Sequence, residues 1–193
     1  MLDKLGKVCK IDKDYICITE NSKIDTNLDW DRRSIRSSLI ILGALTARFN
    51  GAKIPLPGGC KIGERKYDLH LKILRSMGAD CWEDDKYLYS STNGRLKGCE
   101  IVLPIRSTGA TENAILCGSL AEGKTTIWNP HLRPEIVDLV QMLQKMGAKI
   151  KIFGQQKIEI TGVDGLSGCS HNVIPDNMEA VSYTHLRAHE TRG

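Results

Sequence analysis

A glycine-rich loop with one cysteine and several cations is the part of this sequence best suited to chemistry. Residues 56–70 read LPGGCKIGERKYDLH, so that two glycines precede Cys60 and Lys61, Arg65 and Lys66 follow it. Nearby cations lower the pKa of a thiol, and a thiol with a pKa near neutrality can deliver or take a proton. The glycines allow such a loop to close over a ligand, and a guanidinium suits a phosphate or carboxylate. The pattern indicates proton transfer beside an anionic substrate. A glycine turn with solvated charges is the alternative.

The loop lies inside an internal repeat. Three segments end a helix with Leu-x-x-(Leu/Met)-Gly and continue as two short alternating stretches. Their glycines are Gly6, Gly78 and Gly147, at intervals of about 70 residues. Glycine commonly ends a helix in the left-handed conformation, and the alternation that follows predicts a half-buried hairpin.

The segments between these glycines complete the repeating unit. In the last copy, EIVLP and TTIWN read as strands, while GATENAILCGSLAEG and PEIVDLVQMLQKMG read as helices. The middle copy predicts a helix in RSIRSSLIILGALTARFNG, a strand in AKIPL and a helix in KYDLHLKILRSMG. We therefore predict an α/β (α+β) fold of repeated β-α-β-α-β-β units, with helices packed against sheets. The cysteine loop is longer than its counterpart in the last copy, which favours a functional site.

The repeat divides the chain into five parts. We expect 1–23 to be the end of a truncated first repeat, 24–98 the second repeat with the cysteine loop, and 99–163 the third. Residues 164–180 resemble the start of another unit that is cut short. Residues 181–193 resemble the translation of a sequencing adapter, and we expect this tail to be non-native. The chain is thus predicted to be a piece of a longer protein.

Composition narrows the function further. The net charge is +4 and no run of five basic residues occurs, so nucleic-acid binding is not required. The seven cysteines include no C-x-x-C pair, which argues against a zinc ribbon or a disulfide framework and fits a reducing cytosol. We expect no metal, no cofactor, no membrane contact and a cytoplasmic location. Four cysteines in apolar patterns are predicted to be buried: Cys9, Cys17, Cys81 and Cys117.

The sequence resembles the UDP-N-acetylglucosamine enolpyruvyl transferase family. PLPGGCKIGERKYDLHL is similar to that family's cysteine loop, and GALTARFNGAKIPLPGGC, STGATENAI, LAEGKTTIWNP and RPEIVDL follow in the family's order. The resemblance runs from about Leu2 to Ala180. It implies transfer of the enolpyruvyl group of phosphoenolpyruvate to the sugar 3-hydroxyl of UDP-N-acetylglucosamine, in peptidoglycan precursor synthesis. The implied fold has two similar lobes, of which this chain would be one, truncated at both ends and without its second-lobe partner.

The resemblance also implies roles for individual residues of the loop and the first helix. Cys60 corresponds to the catalytic cysteine, which protonates the methylene carbon of phosphoenolpyruvate. Arg36 and Arg65 correspond to arginines at the nucleotide-sugar and phosphate site. Lys66 belongs to the same substrate-binding set, although this position is often proline in the family. A further departure is Ile40, where many members have tryptophan.

Two helix starts supply the other substrate-binding residues that the resemblance implies. The remaining members of the set are Tyr67, Asp68, Leu69, Ser107, Thr108 and Gly109. Asp68 and Leu69 would line the uridine pocket. The segment Ser107–Gly109 would meet the diphosphate, since helix N-termini favour anions. Asp68 could instead be a helix-start residue that balances the dipole, and Ser107 could be a plain N-cap. His70 is expected to pack rather than to touch the substrate.

Two other functions stay open at this point. A shikimate-pathway-type enolpyruvyl transferase shares the repeat, but it lacks a comparable catalytic cysteine loop. A non-catalytic paralogue could keep the fold and bind a UDP-sugar. We expect the chain alone to show no turnover, since the residues implied for the second lobe are missing.

Overall fold

The computed structural model describes residues 3–20, 24–29, 37–56 and 67–175. These residues form four helices and nine strands. In chain order the elements are β1 (Lys7–Ile11), β2 (Ile16–Glu20), α1 (Ser38–Phe49), β3 (Gly51–Pro55), α2 (Asp68–Ser76), β4 (Asp80–Glu83), β5 (Tyr87–Ser91), β6 (Glu100–Val102), α3 (Thr108–Leu120), β7 (Lys124–Trp128), α4 (Pro134–Lys145), β8 (Lys149–Phe153) and β9 (Lys157–Thr161).

Two sheets share one topology. The order β6-β7-β9-β8 combines one parallel pair, β6 with β7, with antiparallel neighbours. The sheet β3-β5-β4 repeats the antiparallel part. This sheet has no counterpart of the parallel strand β6 among its strands. Residues 26–28 take that place through a parallel bridge to β3, in which the Leu28 amide donates to the Lys53 carbonyl at 2.8 Å. The predicted fold class is confirmed, whereas the boundaries of the repeats stay predictions.

Helices α2 and α4 end just before Gly78 and Gly147, as the sequence predicts, whereas the described residues before Gly6 form a turn and not a helix. The glycines that follow the three Leu-x-x-(Leu/Met) patterns all have positive φ: 72° at Gly6, 90° at Gly78 and 103° at Gly147. Side chains with a Cβ rarely adopt this conformation, so glycine allows the chain to turn into the hairpin that follows each of the three positions. Pro134 occupies the first turn of α4, where its missing N–H costs nothing.

Helix α3 lies at the centre of the core. It contacts α1, α2, α4 and both strands β7 and β9. Small residues permit this crowding: a Cβ at Gly43 of α1 would lie 1.7 Å from the Asn113 Oδ1 atom, and one at Gly118 would lie 3.1 Å from Ile160. The largest fully buried side chains of the core are mostly aliphatic and include Leu39, Leu42, Ile54, Leu74, Leu88, Ile115, Ile127 and Ile136.

The first hairpin differs from the prediction. Strands β1 and β2 pair antiparallel, but they form a sheet with no third strand among the described residues. Their apolar side chains are therefore exposed, with Ile11 79% and Ile16 63% accessible. The prediction of a half-buried hairpin was wrong here, because alternation signals burial only when another element covers the apolar face.

The predicted burial of four cysteines holds fully for one of them. Cys117 is completely buried in α3. Cys81 and Cys9 are half-buried, and Cys17 is exposed on β2. Burial of the other three cysteines was overpredicted for the same reason as burial of the first hairpin. Apolar neighbours in the sequence do not reveal whether another element covers a sheet face.

Candidate functional site

The predicted catalytic residue lies outside the described residues. The same holds for Arg36, Arg65 and Lys66, so their roles and that of Cys60 stay predictions. The residues that flank this loop are described. The Leu56 amide donates to the Lys86 carbonyl at 2.8 Å, which fixes the residue before the loop to the β4–β5 turn.

Tyr67, the residue after the loop, is bound to the same hairpin. Its hydroxyl donates to the carboxylate of Glu83 at the end of β4. This hydrogen bond, aided by burial, raises the pKa of Tyr67 to about 12. The Tyr67 carbonyl accepts from the His70 amide at 3.0 Å and so begins α2. The predicted substrate contact of Tyr67 stays a prediction.

Asp68 and Leu69 form the first turn of α2. Asp68 is exposed, and its carboxylate lies where the positive end of the helix dipole favours negative charge. Leu69 is half-buried and packs against the core. The helix dipole accounts for an acidic residue at 68, and core packing accounts for an apolar residue at 69. Neither contact removes the residue from the surface where α2 begins.

Ser107, Thr108 and Gly109 begin α3. Ser107 is the N-cap, with its Oγ accepting from the Ala110 amide at 3.4 Å. The Ser107 carbonyl also accepts a hydrogen bond from the Thr111 hydroxyl at 2.8 Å. Gly109 lies against His70, since a Cβ there would be 3.3 Å from the His70 Cε1 atom. The first N–H groups of any helix have no partner within the helix, so this turn could bind an anion.

A buried histidine brings the two helix starts together. His70 follows Leu69 in α2 and is only 6% exposed. Its Nδ1 atom lies 3.2 Å from the Nδ2 atom of Asn113 in α3, and its ring contacts Gly109. The structure therefore places the predicted uridine segment beside the predicted diphosphate segment. In the sequence, 37 residues lie between Leu69, which ends the first segment, and Ser107, which begins the second. The expectation that His70 packs in the interior is confirmed by its burial.

The connection from β7 to α4 adds polar groups that the sequence analysis missed. The Nδ1 atom of His131 lies 2.9 Å from the Thr108 Oγ1 atom, and the His131 amide donates to Thr111 at 3.0 Å. Arg106 donates to the Asn129 side chain at 3.2 Å. No sequence signal pointed to His131, since both contacts join residues about 20 positions apart.

One carboxylate near this site has a perturbed acidity. Burial, reinforced by the charge of Glu135, raises the pKa of Glu112 above its ordinary value. Glu135 itself pairs with Arg133 at 2.8 Å. Arg133 places a cation directly before the first turn of α4.

The described ranges contain neither a metal-binding cluster nor a membrane-crossing helix. No group of three or more His, Cys, Asp or Glu side chains there could hold a metal ion. No helix in those ranges has both the length and the apolar character that crossing a bilayer requires.

The sheet topology and central helix define the fold of the enolpyruvyl transferases. The enolpyruvyl transferase NikO from Streptomyces tendae superposes with a TM-score of 0.78 over 94% of this chain and 43% of its own, at 23% identity. An EPSP synthase from Acinetobacter baumannii superposes with a TM-score of 0.64 over 86% of this chain and 38% of its own, at 22% identity. The model of the EPSP synthase (3-phosphoshikimate 1-carboxyvinyltransferase) family matches residues 1–188. The chain belongs to this family.

Curated relatives carry a more specific name. Two proteins named UDP-N-acetylglucosamine 1-carboxyvinyltransferase are 47% identical over 151 residues in Rickettsia bellii and 40% identical over 189 residues in Shewanella pealeana. The first match covers 78% of this chain and 36% of the relative, and the second covers 97% and 45%. The chain therefore spans less than half the length of the relatives it matches.

Proposed function

We propose that this chain supplies one lobe of an enzyme that transfers the enolpyruvyl group of phosphoenolpyruvate to UDP-N-acetylglucosamine. The observation that carries the proposal is the 47% identity to a protein named for this reaction. The geometry supports it, because the two segments implied to bind the nucleotide sugar meet at His70 and Gly109. The reaction would place the parent protein in peptidoglycan precursor synthesis in the cytoplasm, where it would serve cell shape and division.

The proposed chemistry assigns separate tasks to the loop and the helix starts. Cys60 would donate a proton to the methylene carbon of phosphoenolpyruvate, while Arg36, Arg65 and Lys66 bind its phosphate and the nucleotide. Asp68 and Leu69 would contact uridine, with Tyr67 beside them. The amides of Ser107, Thr108 and Gly109 would face the diphosphate, where charge-assisted hydrogen bonds are stronger than neutral ones.

A family-level observation favours one second candidate. The matching family model is named for 3-phosphoshikimate, and an EPSP synthase shares the fold. Transfer to 3-phosphoshikimate is therefore the alternative reaction. The cysteine loop argues against it, because the shikimate-pathway enzymes lack a comparable catalytic cysteine.

The decisive experiment restores the part that this chain does not match. The purified chain is mixed with the unmatched portion of the Rickettsia bellii relative, and phosphate release from phosphoenolpyruvate is measured with each acceptor. We expect release that depends on UDP-N-acetylglucosamine and disappears in Cys60→Ala. Dependence on 3-phosphoshikimate would select the second candidate. Rapid release by the chain alone would contradict the assignment as one lobe.

A labelling experiment separates catalysis from mere binding. The epoxide fosfomycin is applied to the reconstituted protein with and without UDP-N-acetylglucosamine, and Cys60 is monitored by mass spectrometry. Labelling that depends on the sugar supports the enzyme. Labelling indifferent to the sugar supports a non-catalytic paralogue.

A further inference from the structure

We propose that His70 and Asn113 are positioning residues that hold the first turns of α2 and α3 at a fixed separation for the nucleotide sugar. The inference rests on the proposed function. Asn113 is fully buried in α3, and its amide nitrogen lies 3.2 Å from His70 Nδ1. An amide nitrogen only donates hydrogen bonds, so Nδ1 is the acceptor in this pair.

The Asn113 side chain is held from a second direction. Its Oδ1 atom lies against Gly43 of α1, in space that any larger residue at position 43 would occupy. The Cys117 thiol, one turn further along α3, lies 3.9 Å from the same oxygen. The amide orientation, with nitrogen towards His70, is therefore consistent with all three neighbours, and α1, α2 and α3 meet at this one side chain.

The imidazole also contacts the first turn of α3. Its Cε1 and Nε2 atoms lie 3.3 and 3.4 Å from the place a Cβ would take at Gly109. His70 thus fills the gap between the start of α2, one residue after Leu69, and the start of α3. A shift of the ring would move one helix start relative to the other.

A ligand that spans both helix starts depends on their separation. Binding loses affinity when segments must be ordered on contact, so a rigid connection between them raises affinity. Breaking a buried polar pair leaves an unsatisfied donor, which makes alternative arrangements costly. The pair therefore fixes the geometry without touching the ligand.

The test compares two buried hydrogen bonds in the 193-residue chain. His70→Phe keeps a ring but removes the acceptor, and His70→Gln restores an acceptor oxygen. Ser90→Ala is the matched control, because it removes a buried hydroxyl that lies 2.5 Å from Thr46 Oγ1 in the α1–β5 contact. Thermal midpoints and the Kd of UDP-N-acetylglucosamine, measured by ligand-observed NMR, are recorded for each.

We expect His70→Phe to raise Kd about tenfold and Ser90→Ala to raise it less than about twofold, at comparable losses of thermal midpoint. His70→Gln should return Kd to within about threefold of the original. Equal Kd values in His70→Phe and the unchanged chain would overturn the inference, since a purely structural pair would alter stability alone.

Hydrogen exchange gives a readout that does not depend on the sugar. The Thr111 amide bonds the Ser107 carbonyl at 3.0 Å, and the Ala110 amide bonds the Ser107 Oγ atom. We expect both amides to exchange about tenfold faster in His70→Phe and to be unchanged in Ser90→Ala. Unchanged exchange in His70→Phe would refute the positioning role. Faster exchange in His70→Phe would support the positioning role even if the reconstituted protein released no phosphate with UDP-N-acetylglucosamine, an outcome that would refute the proposed function alone.

Discussion

The ring of His70 packs directly on Gly109, with its Cε1 atom 3.3 Å from the position of a Cβ at residue 109. This contact joins the first turns of α2 and α3, the two segments that the family resemblance assigns to one nucleotide sugar. The close approach of the imidazole favours glycine at 109, whose own backbone angles do not call for it. A methyl group there would press on the ring, which Asn113 holds from the other side.

Gly43 is expected to be intolerant of even a methyl group. Gly43→Ala would place its Cβ 1.7 Å from the Asn113 Oδ1 atom, so either the Asn113 side chain leaves its position beside His70 or α1 and α3 separate. Overpacking of this kind costs about 1–3 kcal/mol of the free energy of unfolding, measured by urea denaturation. Gly165→Ala is the matched control, since a Cβ there meets nothing within 4 Å. Equal stability of the two variants would show that the helices are less closely packed than described.

Ser107 is expected to have two separable roles. Ser107→Ala removes the cap of α3 and should lower the free energy of unfolding by about 1 kcal/mol. Ser107→Asp keeps a capping oxygen but adds a negative charge at the predicted diphosphate site. Its stability should stay near that of the original chain, while the Kd of UDP-N-acetylglucosamine rises at least about tenfold.

The control for Ser107 is Ser167→Ala, whose hydroxyl donates to the Met146 carbonyl at an exposed position. This variant should change neither quantity measurably. Full affinity in Ser107→Asp would remove Ser107 from the substrate-binding set and leave it as an N-cap alone.

Glu20 is expected to make the stability of the first hairpin depend on pH. Its carboxylate accepts two hydrogen bonds from Arg48 of α1, at 2.8 and 2.9 Å, and one from Lys7. The hydrogen bonds from Arg48 are the largest cause that lowers the pKa of Glu20, and the hydrogen bond from Lys7 is the second. A lowered carboxyl pKa contributes stability above the unfolded-state value, and the contribution is lost as the pH falls through the folded-state value.

Glu20→Gln should therefore lower the thermal midpoint at pH 7, and the difference should shrink as the pH falls below about 4.5. High salt should also reduce this difference in thermal midpoint, since the ion pair between Glu20 and Arg48 is exposed to solvent. Glu100→Gln, on the exposed side of β6, serves as the control. A difference that stays constant from neutral to acid pH would mean that the ion pair contributes nothing.

Cys60 is expected to be the most reactive thiol of the chain. Burial raises the pKa of Cys117 to about 12 and that of Cys81 to about 11, so both stay protonated at neutral pH. Cys17 and Cys169 are exposed and serve as internal references. Alkylation by iodoacetamide near pH 6.5, mapped by mass spectrometry, should modify Cys60 about tenfold faster than either reference. Equal rates would remove the argument that neighbouring cations activate this sulfur.

The elements of the fold were predictable because their signals are local. Gly78 and Gly147 end helices at positive φ, Pro134 begins one, and alternating residues form the hairpins β4–β5 and β8–β9. Each of these choices is fixed by the conformational range of one residue or by a period of two residues along the chain. The same signals recur three times, which made the repeated unit visible without any structure.

The arrangement around α3 was decided only by tertiary packing. No local pattern shows that Asn113 bonds His70, that His131 meets Thr108, or that the apolar residues of β2 face solvent. These contacts join residues 20 or more positions apart, or depend on whether another element covers a sheet face. The sequence by itself determined which helices and strands form, because backbone preference is local. Their mutual placement depended on side-chain volume and polar pairing between distant segments, which only the folded chain brings together.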